Sequence, residues 1–170
     1  STAIKAAISR GVHVVSGTTG LSASDQQEIN RLAEDNSVGV LLAPNFAIGA
    51  VLLIHFATTL GHFFDYAEIV EAHHEAKLDA PSGTSIAIAR ALAKNRTEPF
   101  NRPMPEKDLL PNSRGASQDG VSIHAMRMQG RIAHQELILG TIGQTLTLRH
   151  DTTGRDCYMP GVLTAIRQVV

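Results

Sequence analysis

The stretch EAHHEAKLDAPSGTS, residues 71–85, gathers two histidines, one lysine and three carboxylates around a Pro-Ser-Gly-Thr turn. Histidine is the side chain that most readily gains or loses a proton near neutral pH, so His73 and His74 are candidates for proton transfer. Lys77 follows the strand predicted over 66–74 and can bend back toward either histidine. A cation there can deliver a proton or neutralise developing negative charge. The stretch is therefore a candidate active site.

The turn that ends this stretch is suited to binding an anion. It precedes a helical pattern, SIAIARALAKN, and the start of a helix offers unpaired N–H groups and the positive end of the helix dipole. Gly83 lets a ligand approach the backbone closely, and the hydroxyls of Ser82, Thr84 and Ser85 add hydrogen-bond donors. With the nearby lysine, the turn is typical of a receptor for a small carboxylate or phosphate.

A purely structural interpretation competes with this one. Ser82 or Thr84 can simply cap the helix, the histidines can be surface residues, and Lys77 can be solvated. Each simpler interpretation is favoured when the residue is taken singly. The occurrence of all these residues within twelve positions of the chain favours a functional site instead.

The histidines also raise the question of a metal site. Those on or beside predicted strands are His73, His74, His124, His134 and His150. Zinc needs three or four converging ligands, but the sequence has no His-Glu-x-x-His motif, so structural roles are favoured and no metal is expected. The lone cysteine, Cys157, has no base nearby in sequence and is interpreted as a structural thiol.

The composition is that of a globular protein. The 170 residues are 43% hydrophobic and 18% charged, and the formal net charge is −1. This balance gives no reason to expect binding to nucleic acid or to an anionic membrane, and no apolar run is long enough to cross a bilayer. A single cysteine fits a reducing compartment, so we expect a cytoplasmic protein.

The order of predicted elements in residues 1–45 is typical of a parallel α/β sheet. Helix-like segments at 1–11 and 22–36 alternate with β-branched segments at 12–16 and 38–43. Ligands bind beyond the carboxyl ends of such strands, here the loops GTTG and APNF. Because the chain begins inside a helical pattern, we expect it to lack an N-terminal part.

The remainder predicts an α+β region. A long, largely buried helix is expected over 46–64, then a strand at 66–74 and the helix after the turn. The segment 95–120 shows no convincing element. Three strands joined by hairpins follow (VSIHAMRM, IAHQELIL and QTLTLRH), and a last helix contains Pro160.

Together these residues resemble a known family. The pattern Glu, any, His-His, two variable residues, Lys, any, Asp-Ala-Pro-Ser-Gly-Thr, met here at 71–84, is similar to the signature of bacterial dihydrodipicolinate reductases, most closely the actinobacterial members. GTTG, APNFAIG and the three late strands resemble further family segments. The family's N-terminal βαβ unit, with its glycine-rich pyrophosphate loop, has no counterpart in the sequence.

The resemblance implies an NADH- or NADPH-dependent reductase of diaminopimelate and lysine biosynthesis, which converts 4-hydroxytetrahydrodipicolinate to tetrahydrodipicolinate. It implies that His73 is the proton donor and acceptor and Lys77 a proton donor. The implied substrate-binding residues are His74, Ser82, Gly83 and Thr84. The implied cofactor contacts are Gly17, Thr18, Thr19, Ala43, Pro44, Asn45 and Phe46. Arg155 matches a family arginine whose role the sequence leaves open.

The expected fold is the C-terminal portion of a Rossmann-type domain followed by an α+β domain with a mixed, largely antiparallel sheet. Residues 1–45 would be the remnant of the dinucleotide-binding domain, 46–155 the substrate-binding and homotetramer-forming domain, and 156–170 a helix that packs back on the nucleotide domain. Two alternatives stay open, namely a non-catalytic tetramerisation fragment of that enzyme and another NAD(P)-dependent oxidoreductase, such as an amino-acid dehydrogenase. The nicotinamide preference also stays open.

Overall fold

A computed structural model describes residues 1–18, 20–107 and 109–170. The chain forms two compact units, residues 1–48 with 156–170, and residues 49–155. In chain order the described elements are α1 (Thr2–Ile8), β1 (Val14–Ser16), α2 (Ala23–Asp35), β2 (Val40–Leu42), α3 (Ile48–Leu60), β3 (Tyr66–His73), α4 (Gly83–Ala93), β4 (Ala116–Gln118), β5 (Val121–Arg127), β6 (Ala133–Thr141), β7 (Gln144–Thr152), a 3₁₀ turn (Arg155–Tyr158) and α5 (Met159–Gln168).

The first unit contains a short parallel sheet, as its helix–strand alternation predicted. β1 pairs with β2 in parallel, with Ser16 opposite Leu42, so the loops that follow the two strands leave from the same edge. α2 starts at Ser22, whose hydroxyl accepts a hydrogen bond from the Asp25 N–H at 3.1 Å. Ile8 and Ile29 are fully buried between the helices and this sheet. Burial of each isoleucine contributes about 1.5–3 kcal/mol to folding.

The second unit is built on a five-stranded sheet in the order β4-β5-β3-β6-β7. β3 is central and pairs in parallel with β5 and antiparallel with β6. The mixed, largely antiparallel sheet is therefore confirmed, and so is the β6–β7 hairpin. The expected hairpin between the other two late strands is wrong. β5 and β6 lie on opposite sides of β3, so the segment that joins them must cross over this strand.

One face of this sheet carries the core of the second unit. Residues of β3 alternate, and Ala67, Ile69, Glu71 and His73 all point to the buried face. There the sheet packs against apolar side chains of α3 and α4. The alternation predicted from sequence is confirmed, and it places the charged end of β3 directly beside the core.

Two expectations for the second unit need correction. The helix at 46–64 is neither as long nor as buried as expected, because only one stripe of α3 packs on the sheet, while Val51, Leu52 and Phe56 stay 45–47% exposed. The segment 95–120 does contain an element. β4 pairs antiparallel with β5 through the two-residue turn Asp119-Gly120, in which both residues have positive φ, the geometry of a tight hairpin.

Candidate active site

The end of β3 and the start of α4 are joined by one buried carboxylate. Glu71 has no solvent-exposed surface. Its Oε1 accepts a hydrogen bond from the Ser82 N–H at 3.1 Å and another from Arg127 Nη2 at 2.8 Å. Its Oε2 accepts one from the Ser85 hydroxyl at 3.2 Å. The strand and the turn that follows it are therefore tied together at a single point.

The same carboxylate contacts His73. Nδ1 of the imidazole lies 3.1 Å from Glu71 Oε2, and this buried nitrogen completes no hydrogen bond of good geometry. The His73 residue is 8% exposed, so its ring is largely withdrawn from water.

Opposing effects set the acidity of Glu71. Burial raises its pKa, because a charge is poorly solvated in the core. Interactions with His73, Ser82 and Arg127 favour the ionised form more strongly, so the pKa falls to about 2. At neutral pH the network is therefore built around a carboxylate anion.

A second layer of side chains completes the network. Gln135 lies directly opposite Glu71 on β6. Its NH₂ group donates to the Ser82 hydroxyl at 3.0 Å, and its Oε1 lies 2.9 Å from the Ser85 hydroxyl, whose single hydrogen is divided between this oxygen and Glu71 Oε2. The Ser82 hydroxyl also accepts from the Ser85 N–H at 3.2 Å and caps α4. The capping role weighed in the sequence analysis is thus real for Ser82, whose side chain is buried.

The other residues expected at this site lie in the loop after β3. His74 is the first residue beyond the strand and is exposed, so it faces a different environment from His73. The Lys77 N–H bonds to the His74 carbonyl at 3.1 Å. The Lys77 ammonium donates to Asp79 Oδ1 at 2.7 Å, and this hydrogen bond lowers the pKa of Asp79. The side-chain ammonium of Lys77 is thus paired with Asp79, and among the described contacts it bonds to neither histidine ring.

The start of α4 is a capped helix N-terminus. Ser82 is the N-cap residue with extended backbone angles, φ −68° and ψ 153°. Gly83 and Thr84 therefore fall in the first turn of the helix. The turn enters the helix through a cis peptide bond between Ala80 and Pro81.

The cofactor-binding residues expected from the resemblance lie in the first unit. Gly17 and Thr18 follow β1, and Ala43, Pro44, Asn45 and Phe46 follow β2; Thr19 lies outside the described residues. The Ala43 N–H bonds to the Ser16 carbonyl at 3.1 Å. A Cβ atom on Gly17 would lie 3.4 Å from the Phe46 ring. The structure thus brings the two loops together at the edge where parallel strands end.

Sequence reasoning missed the residues that organise the site. Glu71 had a signal, since the alternation of β3 places it on the same face as Ile69 and His73. Arg127 and Gln135 had none. They come from β5 and β6, more than 50 residues along the chain, and meet Glu71 only through strand pairing.

The part of the chain that the structure describes contains neither a metal-binding cluster nor a membrane-spanning helix. Among the described residues, no group of three or more His, Cys, Asp or Glu side chains is arranged to hold a metal ion. Within the same residues, no helix has the length and apolar character needed to cross a bilayer.

The amino-acid sequence is similar to those of known proteins. Residues 49–170 match the family model described as dihydrodipicolinate reductase, C-terminus, and residues 1–46 match the one described as dihydrodipicolinate reductase, N-terminus. A 4-hydroxy-tetrahydrodipicolinate reductase of Dehalococcoides mccartyi is 46% identical over 99% of this chain and 63% of its own length. The reductase of the same name from Mycobacterium marinum is 48% identical over 95% of this chain and 66% of its own length.

The fold is also similar to that of a solved structure. The dipicolinate-bound dihydrodipicolinate reductase of Paenisporosarcina sp. TG-14 superposes with a TM-score of 0.80 at 43% identity, covering 99% of this chain and 63% of that one. The chain thus spans somewhat less than two thirds of these first relatives.

Proposed function

Because the chain belongs to the dihydrodipicolinate reductase family, we propose that the full-length protein reduces 4-hydroxytetrahydrodipicolinate to tetrahydrodipicolinate in diaminopimelate and lysine biosynthesis. One observation carries the proposal. A proton-exchanging imidazole, His73, and the anion-binding start of α4 share contacts with the same buried carboxylate, Glu71. A site that must hold a carboxylate and transfer a proton beside it needs this arrangement.

The substrate is a small dicarboxylate. The neighbouring structure from Paenisporosarcina is described as dipicolinate-bound, and the same ligand chemistry suits the turn described above. Gly83 and Thr84 lie at a helix start, where the dipole favours negative charge. His74, which is exposed just after the end of β3, contributes a further donor. The Ser82 hydroxyl is engaged in the buried network, so Ser82 supports the turn by capping it.

The proposed reaction replaces a hydroxyl group by hydrogen, so a hydride and a proton are added and water leaves. His73 and Lys77 supply the proton chemistry. His73 lies at the carboxyl end of β3 with Nδ1 against Glu71, which leaves Nε2 to exchange a proton with the substrate. Lys77, two residues before its partner Asp79, is the second group able to donate the one proton that the reaction consumes, and its positive charge favours the dianionic substrate.

NADH or NADPH supplies the hydride when bound. The first unit has residues that fit a nicotinamide cofactor. Gly17 and Thr18 lie beside Ala43–Phe46 at the carboxyl edge of a parallel sheet, the usual ligand edge of such sheets, with Thr19 as the further expected contact. The bare backbone of Gly17 lies against the Phe46 ring, so the two loops form one continuous surface.

We propose further that the protein works as a cytoplasmic homotetramer. α3 and α4 cover one face of the second sheet, while the opposite face leaves Tyr66 and Met126 45% and 42% exposed. Apolar residues on an uncovered sheet face are typical of an interface between subunits. Light scattering of the full-length protein measures the oligomer; a monomer at micromolar concentration contradicts this part of the proposal.

The activity is tested with His73→Ala and Lys77→Ala in the full-length protein. Each substitution is expected to lower the rate of NAD(P)H oxidation with substrate at least about 100-fold, the usual contribution of a general acid or base. Arg131→Ala, which alters a residue between β5 and β6 that no part of the proposal uses, serves as the control and is expected to keep full activity. If both site variants stay within about twofold of the wild type, the catalytic assignment is wrong.

A further inference from the structure

We propose that Glu71 is a positioning residue, which holds the His73 imidazole with its proton on Nδ1 and thereby presents Nε2 to the substrate. This inference rests on the proposed function of His73. It adds a role for a residue that is fully buried, touches no solvent and contacts the catalytic histidine directly.

The two oxygens of Glu71 have different partners. Oε1 accepts from Arg127 Nη2 and from the Ser82 N–H, which supply the counter-charge and the link to the turn. Oε2 faces the His73 Nδ1 atom and the Ser85 hydroxyl. Charge neutralisation therefore needs Oε1 only, and Oε2 is left to orient neighbouring side chains.

The tautomer follows from the chemistry of the carboxylate. An ionised carboxylate only accepts hydrogen bonds, so an imidazole nitrogen 3.1 Å away is favoured when it carries the hydrogen. The proton then resides on Nδ1, and Nε2 becomes the nitrogen that exchanges a proton with the substrate. A histidine oriented by a buried carboxylate is a general way of fixing which nitrogen reacts.

The surroundings contain few competing charges. On β5, Arg127 lies opposite His73 and is bonded to Glu71. The residue of β6 opposite His73 is Ala133, and the neighbouring Gln135 is neutral. Serine and threonine side chains line the start of α4. Lys77 and Asp79, in the loop after β3, are paired with each other. Among these groups, Glu71 is the charged group in contact with Nδ1.

Burial explains why such a carboxylate is retained. A charge in the core is destabilising unless it is paired and hydrogen-bonded, and an apolar residue on this face of β3 would join the core beside Ile69. Glu71 is accommodated by four contacts, from His73, Ser82, Ser85 and Arg127. A set of partners this complete fixes the position of each one, including the histidine ring.

The first test needs no substitution of Glu71. In the ¹⁵N-histidine-labelled full-length protein, the ¹⁵N shifts of His73 report which nitrogen is protonated when measured at about pH 9, well above the ordinary pKa of histidine near 6.5. His73→Asn assigns the signal. We expect the proton on Nδ1. A proton on Nε2 in the wild type overturns the proposal, whatever the activity.

The second test is Glu71→Gln. The amide oxygen still accepts from the Ser82 N–H, but its NH₂ group now faces His73 and favours the opposite tautomer. We expect the His73 proton to move to Nε2 and kcat to fall at least about tenfold. Binding of dipicolinate, measured by calorimetry, is expected to stay within about threefold because the turn keeps its link.

Glu68→Gln is the matched control. Glu68 lies on the same strand and also contacts an arginine and a histidine, Arg114 and His124, both at 2.5 Å, but it points to the opposite face. This variant is expected to keep the His73 tautomer and kcat. If Glu71→Gln leaves tautomer and kcat unchanged while His73→Ala abolishes activity, the positioning role fails and the proposed function stands. If His73→Ala is itself fully active, the proposed function fails instead.

Discussion

The Glu71 carboxylate on β3 accepts a hydrogen bond of 3.1 Å from the backbone N–H of Ser82, and Ser82 is the residue that caps α4. A strand residue thus fixes the entry of a helix whose first turn is the proposed carboxylate receptor. The same carboxylate lies 3.1 Å from the His73 ring nitrogen Nδ1. The proposed carboxylate receptor and the proposed proton-exchanging histidine therefore share one side chain as a contact.

The first prediction concerns the cap of α4. Ser82→Ala removes the acceptor for the Ser85 N–H and leaves the buried Gln135 amide without its partner. Loss of a cap costs about 1 kcal/mol, and an unsatisfied buried donor adds about 1–3 kcal/mol. We expect urea unfolding to show a loss of about 2–4 kcal/mol.

Ser22→Ala is the control for this prediction. Ser22 caps α2 in the first unit and accepts from the Asp25 N–H, but its surroundings are exposed. It should lose about 1 kcal/mol, the value of a cap by itself. Equal losses for the two serines would show that the buried network contributes nothing beyond capping.

The second prediction is a pH dependence of stability. The pKa of Glu71 is lowered to about 2 from an ordinary value of 4.5, so the native state favours the ionised form. The resulting stabilisation is present above about pH 4.5 and is lost as the pH falls toward 2; its size is on the order of 3 kcal/mol. The difference in unfolding free energy between wild type and Glu71→Gln is expected to shrink over this interval.

An uncharged neighbour provides the comparison. Ile69→Val alters a fully buried residue on the same face of β3 and should cost about 1 kcal/mol. Its deficit is expected to be the same at pH 7 and at pH 3.5. A deficit for Glu71→Gln that is equally independent of pH would contradict the assigned ionisation.

Local patterns in the sequence were sufficient for much of this structure. The strand predicted over 66–74 is present and ends one residue earlier, and the helix after the turn is present too. Of the two residues considered as caps of that helix, Ser82 is the N-cap. The Asp119-Gly120 pair was a hairpin signal of the same local kind, and its φ values are both positive. The strand it supports was missed because β4 is only three residues long, Ala-Ser-Gln, and contains no β-branched or aromatic residue.

Pairing over long distances was not accessible in this way. Nothing in the sequences of β5 and β6 indicates that β3 lies between them. The short linker between these two strands can form a hairpin, but it can also pass over the end of a strand that lies between them. For the same reason Arg127 and Gln135 could not be assigned to the site. Their contacts with Glu71 or with its partners Ser82 and Ser85 depend on strand register, which a single sequence does not encode locally.

The third prediction concerns a close approach between helices. A Cβ atom on Gly61, at the end of α3, would lie 2.3 Å from the Leu92 carbonyl oxygen in α4. Backbone must therefore move to admit a methyl group, and Gly61→Ala is expected to cost about 1–3 kcal/mol in thermal or urea unfolding. Gly140→Ala is the control, since its Cβ would meet Tyr66 Cβ at an ordinary 3.6 Å; a change within about 0.5 kcal/mol is expected there.

The fourth prediction tests the cofactor loops. Gly17 has no positive φ, but its Cβ position lies 3.4 Å from the Phe46 ring, so a branched side chain would push the two loops apart. In the full-length protein, Gly17→Val is expected to weaken NADH binding on the order of tenfold, about 1.4 kcal/mol, in fluorescence titration. Gly20→Ala, whose Cβ would meet nothing within 4 Å, should bind as the wild type does. If Gly17→Val binds NADH with unchanged affinity, the loop that follows β1 does not contact the cofactor, because the substitution changes the surface of this loop at the proposed point of contact.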